Sequence, residues 1–197
     1  MFNVKSVIAI GLSIILSAST VMPTMAARVY NPDTNTWEQP APQSTSRRRG
    51  SPIAKELVDY TGAYKPGTIV IETGERRLYL VLDGGKAMKY GVGVGRDGFT
   101  WSGTHSITRK AEWPGWTPPA QMRKRVPDLP AYMPGGPDNP LGARALYIGS
   151  TLYRVHGTSE PWSIGQAVSS GCIRLTNEDI TDLYERVQVG ARIVVNH

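Results

Sequence analysis

The sequence predicts a mostly β domain with one helix. Residues 68–72 (TIVIE) and 76–82 (RRLYLVL) are β-branched and aromatic runs flanking Thr73-Gly74-Glu75, a hairpin signature. Asp83-Gly84-Gly85 marks a second turn, and only one segment has a clear helical period. Residues 87–94, 103–109 and 146–155 have strand composition, and residues 193–196 form a closing strand. The helix starts at Thr176 or Asn177 as N-cap, with Glu178 and Asp179 facing the positive end of its dipole. Ile180, Leu183, Tyr184 and Val187 share one face, and Gly190 lies just past its end.

Between residues 113 and 140 the periodicity stops. Eight of the 15 prolines fall there, with Trp113, Trp116 and Gly135-Gly136. Long loops in compact domains are functional or disordered. The tryptophans argue for an ordered loop packed over something, a lid on a cleft.

Residues 1–26 read as a signal peptide. Lys5 supplies the charged start, residues 7–21 the apolar stretch, and Thr24-Met25-Ala26 a small-residue cleavage site behind Pro23. The expected location is the periplasm or cell envelope, with membrane contact only through an uncleaved signal. Residues 27–60 are expected to be a flexible basic linker, rich in Pro, Ser, Thr, Asn and Gln and containing Arg47-Arg48-Arg49. Residues 61–197 are expected to form one domain with its own core.

The net charge of +6 is uneven: residues 1–50 carry five basic and two acidic residues, leaving 17 basic and 14 acidic in the rest. Nucleic acid is not the expected partner, because the basic run is short, lies in the linker and has no interleaved aromatics. A solvated tail, or attraction to an anionic polymer or membrane surface, accounts for it. One Cys and three scattered His give no metal-ligand cluster. Residues 91–98 (GVGVGRDG) lack the following helix of a dinucleotide loop. No metal or cofactor is expected.

Cys172 is the only cysteine. An exported cysteine ordinarily has a disulfide partner, so Cys172 is either a buried structural thiol or a free, reactive one. His156 lies sixteen residues earlier, where it ends a predicted strand. A histidine can take the thiol proton and generate the nucleophilic thiolate. Gly171 allows a tight turn that leaves N–H groups free to face an oxyanion. Gly157 offers a carbonyl that can accept from the imidazole and fix its tautomer. His105 on a strand and the terminal His197 receive no role.

Residues 156–175 (HGTSEPWSIGQAVSSGCIRL) resemble the active-site signature of the bacterial L,D-transpeptidase catalytic domain, the YkuD-like cysteine transpeptidases. Residues 91–103 (GVGVGRDGFTWSG), Asn139-Pro140-Leu141-Gly142 and the segment 177–190 agree, so the resemblance covers about residues 65–197. It implies a β-sandwich-like mixed sheet with one helix on the catalytic side and a long Pro/Trp-rich lid loop. It implies Cys172 as nucleophile, His156 as base and Gly157 as its orienting carbonyl. It further implies oxyanion donors from Ser170, Gly171 and Cys172, and substrate contacts from Ser169 and Arg174. Trp162, between the two catalytic positions, and Tyr153 are candidate groove residues. One departure stands out: families of this kind usually carry histidine before Gly-Cys, and this chain has Ser170.

The implied reaction is acyl transfer on peptidoglycan stem peptides, forming 3-3 cross-links from tetrapeptide donors. Water, a D-amino acid or an amine of an envelope protein are alternative acceptors. A wall-binding module with an inert thiol is the non-enzymatic alternative.

Overall fold

The computed structural model describes residues 51–197 in full. It also describes the backbone of strands β1 (Val29–Asn31) and β2 (Thr36–Glu38), which pair antiparallel. The signal-peptide reading of residues 1–26 lies outside the described residues.

The remaining strands follow in chain order: β3 Glu56–Asp59, β4 Ile69–Glu72, β5 Arg77–Leu82, β6 Lys86–Gly91, β7 Val94–Gly95 and β8 Gly103–Glu112. After helix α1 (Ala120–Arg125) come β9 Arg144–Ile148, β10 Arg154–His156, β11 Ala167–Ser169 and β12 Ile173–Arg174, then helix α2 (Asn177–Arg186) and β13 Arg192–Asn196. Nine strands form one mixed sheet in the order β12-β10-β9-β8-β13-β4-β5-β6-β3, and β7 and β11 form a parallel pair. The chain is thus mainly β, with a curled mixed sheet.

The curl has a covalent and hydrogen-bonded cause. Gly93 lies two residues past the end of β6, yet it exchanges backbone hydrogen bonds of 2.9 Å in both directions with Arg174 of β12, at the far edge. The edge strand β12 is therefore tied back, beside Cys172, to the chain that leaves β6, the strand next to the opposite edge. A Cβ at Gly93 would lie 2.9 Å from the Ser163 carbonyl oxygen, so the close approach needs glycine.

Alternation along the strands fills the core. Leu78 and Leu80 of β5, Ile69 and Ile71 of β4, Ile193 and Val195 of β13, and Leu146 and Ile148 of β9 are fully or almost fully buried. Ile180 and Leu183 of α2 join this cluster. Thr176 is the N-cap: its hydroxyl accepts from the Asp179 amide at 3.1 Å. At the other end, Lys110 Nζ donates to the carbonyls of Tyr184 and Val187, at 2.5 and 2.6 Å.

The strands differ from the sequence reading in three places, the first being residues 87–94, expected as one strand, which end as β6 at Gly91 and restart as β7 beside β11. Residues 56–59 fall in the expected linker but form the edge strand β3, paired with β6. Its charged ends meet Lys86 and Lys89, and with Leu57 58% exposed it has no apolar alternation to betray it. Residues 146–155, read as one strand, are two. The chain reverses at Gly149 (φ 52°), and Thr151 braces the turn by donating to the Ile148 carbonyl at 2.7 Å and accepting from the Tyr153 amide at 3.1 Å.

The proline-rich segment is ordered. Trp116, Met122, Val126, Leu129 and Leu141 form a second, separate hydrophobic cluster. Trp116 and Met133 exchange backbone hydrogen bonds of 2.8 and 2.7 Å. Asn139 closes the segment: its amide donates to the carbonyls of Met133 and Pro134 at 3.3 and 2.9 Å, and its oxygen accepts from the Leu141 amide at 2.9 Å. Helix α1 sits inside this lid and was invisible in sequence, because prolines on both sides mask a six-residue helix.

Candidate functional site

The reversal between β9 and β10 delivers His156 to the end of a strand that lies parallel to β12. Val155 pairs with Ile173 and His156 with Arg174, so Cys172 is level with Arg154. Strand alternation then puts Arg154, His156, Cys172 and Arg174 on one face, opposite the buried Val155 and Ile173. All four line a single cleft of about 640 Å³, together with Ser169, Ser170 and Tyr153. Strand spacing and the two-residue offset place the Cα atoms of His156 and Cys172 about 8 Å apart, a gap that two facing side chains can close. The lid covers the cleft with Trp116, residues 117–123, Arg125, Pro140 and Leu141.

His156 is buried, and its Nδ1 lies 2.5 Å from the Gly157 carbonyl oxygen. A carbonyl only accepts, so Nδ1 carries the proton and Nε2 keeps its lone pair. Burial, then the charge of Arg174, and to a smaller extent that of Arg154, hold the imidazole pKa down, to about 3, against a smaller upward pull from the Gly157 carbonyl. His156 is therefore neutral at neutral pH. Its backbone is fixed on both sides, with its carbonyl accepting from Leu175 and the next amide, Gly157, donating to Arg144, at 2.9 and 3.0 Å. Asn177 Oδ1 packs where a Cβ on Gly157 or Gly142 would stand, and it accepts from the Ala143 amide at 2.9 Å. Asn177, considered in sequence only as a helix cap, thus locks the His156–Gly157 segment to helix α2.

This buried imidazole makes stability pH-dependent. The unfolded chain takes up a proton at the ordinary histidine pKa of 6.5, whereas the folded chain does so only near 3. Between those values the unfolded state binds more protons, so stability is complete above about pH 6.5 and is lost as pH falls. By pH 4 the loss reaches at most about 3 kcal/mol. Thermal unfolding of His156→Gln should show a shallower fall between pH 6.5 and 4 than the parent; parallel curves would contradict the burial of a neutral imidazole.

Cys172 is a free thiol, partly exposed to the cleft. The turn before it is held by Ser169, which is buried: its hydroxyl donates to the Cys172 carbonyl at 2.6 Å and accepts from the Gly171 amide at 3.1 Å. This alters two expected roles. The Ser169 hydroxyl is consumed inside the turn, and the Gly171 N–H is already donated. The amides of Ser170 and Cys172 donate to no protein acceptor among the described residues.

Gly171 has φ 102°, and a Cβ there would lie 2.4 Å from the Tyr153 ring. Tyr153 stacks on Trp101 with ring centroids 4.6 Å apart, and Trp101 Nε1 donates to the Gly171 carbonyl at 2.7 Å. Trp101 is thus a wall of the turn, a role its sequence position did not signal. Gly171→Ala should cost about 1–3 kcal/mol in thermal unfolding and lose most thiol alkylation by a cleft-sized reagent, from backbone strain plus the clash. Wild-type behaviour on both counts would show that the turn tolerates a side chain.

Arg174 is buried and ion-paired with the equally buried Glu160 at 3.3 Å. Trp162 lies on the short 3₁₀ turn Pro161–Ser163, is 61% exposed, and does not line the cleft. His105 packs edge-on against Trp101, away from the cleft. Among the described residues no group of three or more His, Cys, Asp or Glu could hold a metal ion.

Residues 66–195 match the family model of the L,D-transpeptidase catalytic domain, YkuD. This chain belongs to the L,D-transpeptidase family. It is 45% identical over 134 residues to the probable L,D-transpeptidase YbiS of Escherichia coli K12, an alignment covering 64% of this chain and 43% of YbiS. It is 43% identical over 136 residues to the probable L,D-transpeptidase ErfK/SrfK of the same strain, again covering 43% of that relative. The chain therefore spans less than half the length of these L,D-transpeptidases. Among solved structures, one from Brucella melitensis described as a probable carnitine operon oxidoreductase CaiA is 44% identical, with a TM-score of 0.51 over 74% of this chain and 94% of that one. L,D-transpeptidase 3 of Mycobacterium tuberculosis shares the fold at 19% identity, with a TM-score of 0.51 over 66% of this chain and 60% of that one.

Proposed function

We propose that the chain is an exported peptidoglycan L,D-transpeptidase that forms 3-3 cross-links through a thioester on Cys172. The observation that carries this reading is the placement of Cys172 and the Nδ1-anchored His156 on one sheet face, in one cleft. The reading includes a signal peptide at residues 1–26 and a linker that ends before β3, and it places the enzyme in the cell envelope. Envelope proteins are secondary candidates as acyl acceptors.

His156 Nε2 takes the thiol proton as Sγ attacks the carbonyl of the third stem residue, a diamino acid. The amides of Ser170 and Cys172 are the donors available to the developing oxyanion. The imidazolium so formed is a strong acid, because burial and the neighbouring guanidiniums oppose its charge. It passes its proton to the departing nitrogen, the C–N bond breaks, and D-alanine leaves. An amine from a neighbouring stem then attacks the thioester, giving its proton to His156, and the thiol is restored.

Ser170 in place of the family's histidine leaves this proton path intact, since the path uses only His156, which lines the cleft and whose Nδ1 is engaged by the Gly157 carbonyl. Incubation with disaccharide-tetrapeptides tests the acceptor. Dimers carrying a tripeptide donor are the expected product, and tripeptide monomers alone would make the enzyme a carboxypeptidase.

A further inference from the structure

Four arginines line the cleft (Arg123, Arg125, Arg154 and Arg174), and no acidic side chain is among its described lining residues. Arg174 is matched by Glu160. Arg154 is different. Extending the β10–β12 register by one residue sets it level with Cys172, just before β12, and both line the cleft. Its Nη1 donates to the Leu152 carbonyl at 3.1 Å, and its guanidinium lies 5.1 Å from the centre of the Tyr147 ring. Arg109 occupies the Tyr147 ring at 3.6 Å. Arg154 Nε is buried with no acceptor, and no carboxylate pairs with Arg154 among the described residues. A guanidinium already held by a carbonyl and a ring loses little further freedom when it binds a planar anion.

We propose that Arg154 is a specificity-determining residue that binds a carboxylate of the acyl-donor stem peptide beside the scissile bond. The assignment rests on the transpeptidase reading. Two donor carboxylates lie near that bond: the one on the side chain of the diamino acid, and the terminal one of D-alanine. Either would also offset one of the two guanidinium charges acting on His156.

The test measures kcat/KM for release of D-alanine or its amide from three disaccharide-tetrapeptides. One is unmodified, one is amidated at the diamino-acid side chain, and one is amidated at the terminal carboxyl. The enzymes are wild type, Arg154→Ala, Arg154→Gln, which retains a donor for Leu152, and Arg154→Lys. On the unmodified donor, Arg154→Ala and Arg154→Gln should lose about tenfold to a hundredfold, with partial recovery in Arg154→Lys. On the analogue lacking the recognised carboxylate, the penalty should shrink to about threefold or less, and that analogue names the group. An equal penalty on all three donors, or no penalty on any, overturns the assignment alone. Failure of wild type to turn over the unmodified donor overturns the transpeptidase reading and this assignment with it.

Discussion

Cys172→Ala should abolish D-alanine release from tetrapeptide donors, with a loss of about 10⁴-fold or more in kcat. The reason is chemical. In the proposed reaction the thiol carries the whole of the covalent step, and the sequence holds no second cysteine to replace it. The fold should be untouched: Cys172 is partly exposed, and the turn around it is held by its carbonyl and by Ser169 and Gly171, not by sulfur. Unchanged thermal unfolding together with lost turnover is the expected pair of results. Full turnover in this variant would show that Cys172 is not the nucleophile, and loss of the thiol with no turnover in the wild type either would leave the alternative of an inert thiol in a wall-binding module.

His156→Ala should cost about 10²–10⁴-fold in kcat/KM, the usual worth of a positioned general base. Thiol alkylation by iodoacetamide near neutral pH should slow in the same variant. His156→Gln should behave alike, because it fills the buried space without supplying a base, so a failure of the alanine variant to fold would not rescue the idea. Wild-type alkylation rates in a folded His156→Gln protein would mean that Cys172 is activated by something else. The acidic limb of the free enzyme's profile should not fall at the ordinary histidine value of 6.5, since the folded imidazole stays neutral to about pH 3. A kcat/KM profile that drops with a midpoint near 6.5 would contradict that environment.

Most of the sheet was legible in the sequence because its central strands are long and apolar. Ile69–Glu72, Arg77–Leu82 and Arg192–Asn196 are dominated by β-branched and aliphatic residues, and Thr176 with Glu178 and Asp179 announces α2. The elements that build the site were harder to see. Strand β12 has two residues and β10 has three, too short for any periodicity, and they exist because Gly93 and β9 pair with them. The β9–β10 reversal hid between two apolar and aromatic runs, Leu146–Ile148 and Leu152–Tyr153, with Gly149-Ser150-Thr151 as the turn sequence between them.

Within the site, the sharing of one cleft by Cys172 and His156 and the hydrogen bond of His156 to the Gly157 carbonyl agree with what residue type and order led one to expect. The inward use of the Ser169 hydroxyl and the Gly171 amide was not legible there, because it depends on how the turn closes. Trp101 and Asn177 support the site from elements about 70 residues before Gly171 and 34 after Ala143, respectively. No local pattern encodes such contacts. Trp162 shows the reverse error: nearness in sequence to both reactive positions did not bring it to the cleft.

The central claim is that Cys172 carries the acyl group during turnover. Rapid quenching of the full chain with a disaccharide-tetrapeptide, followed by proteolysis and mass measurement, tests it most directly. The expected result is an acyl-tripeptide adduct on the peptide containing Cys172, one D-alanine released per adduct, and no adduct in Cys172→Ala. Turnover by the wild type with the acyl group on another residue, or continued turnover in Cys172→Ala, would contradict it.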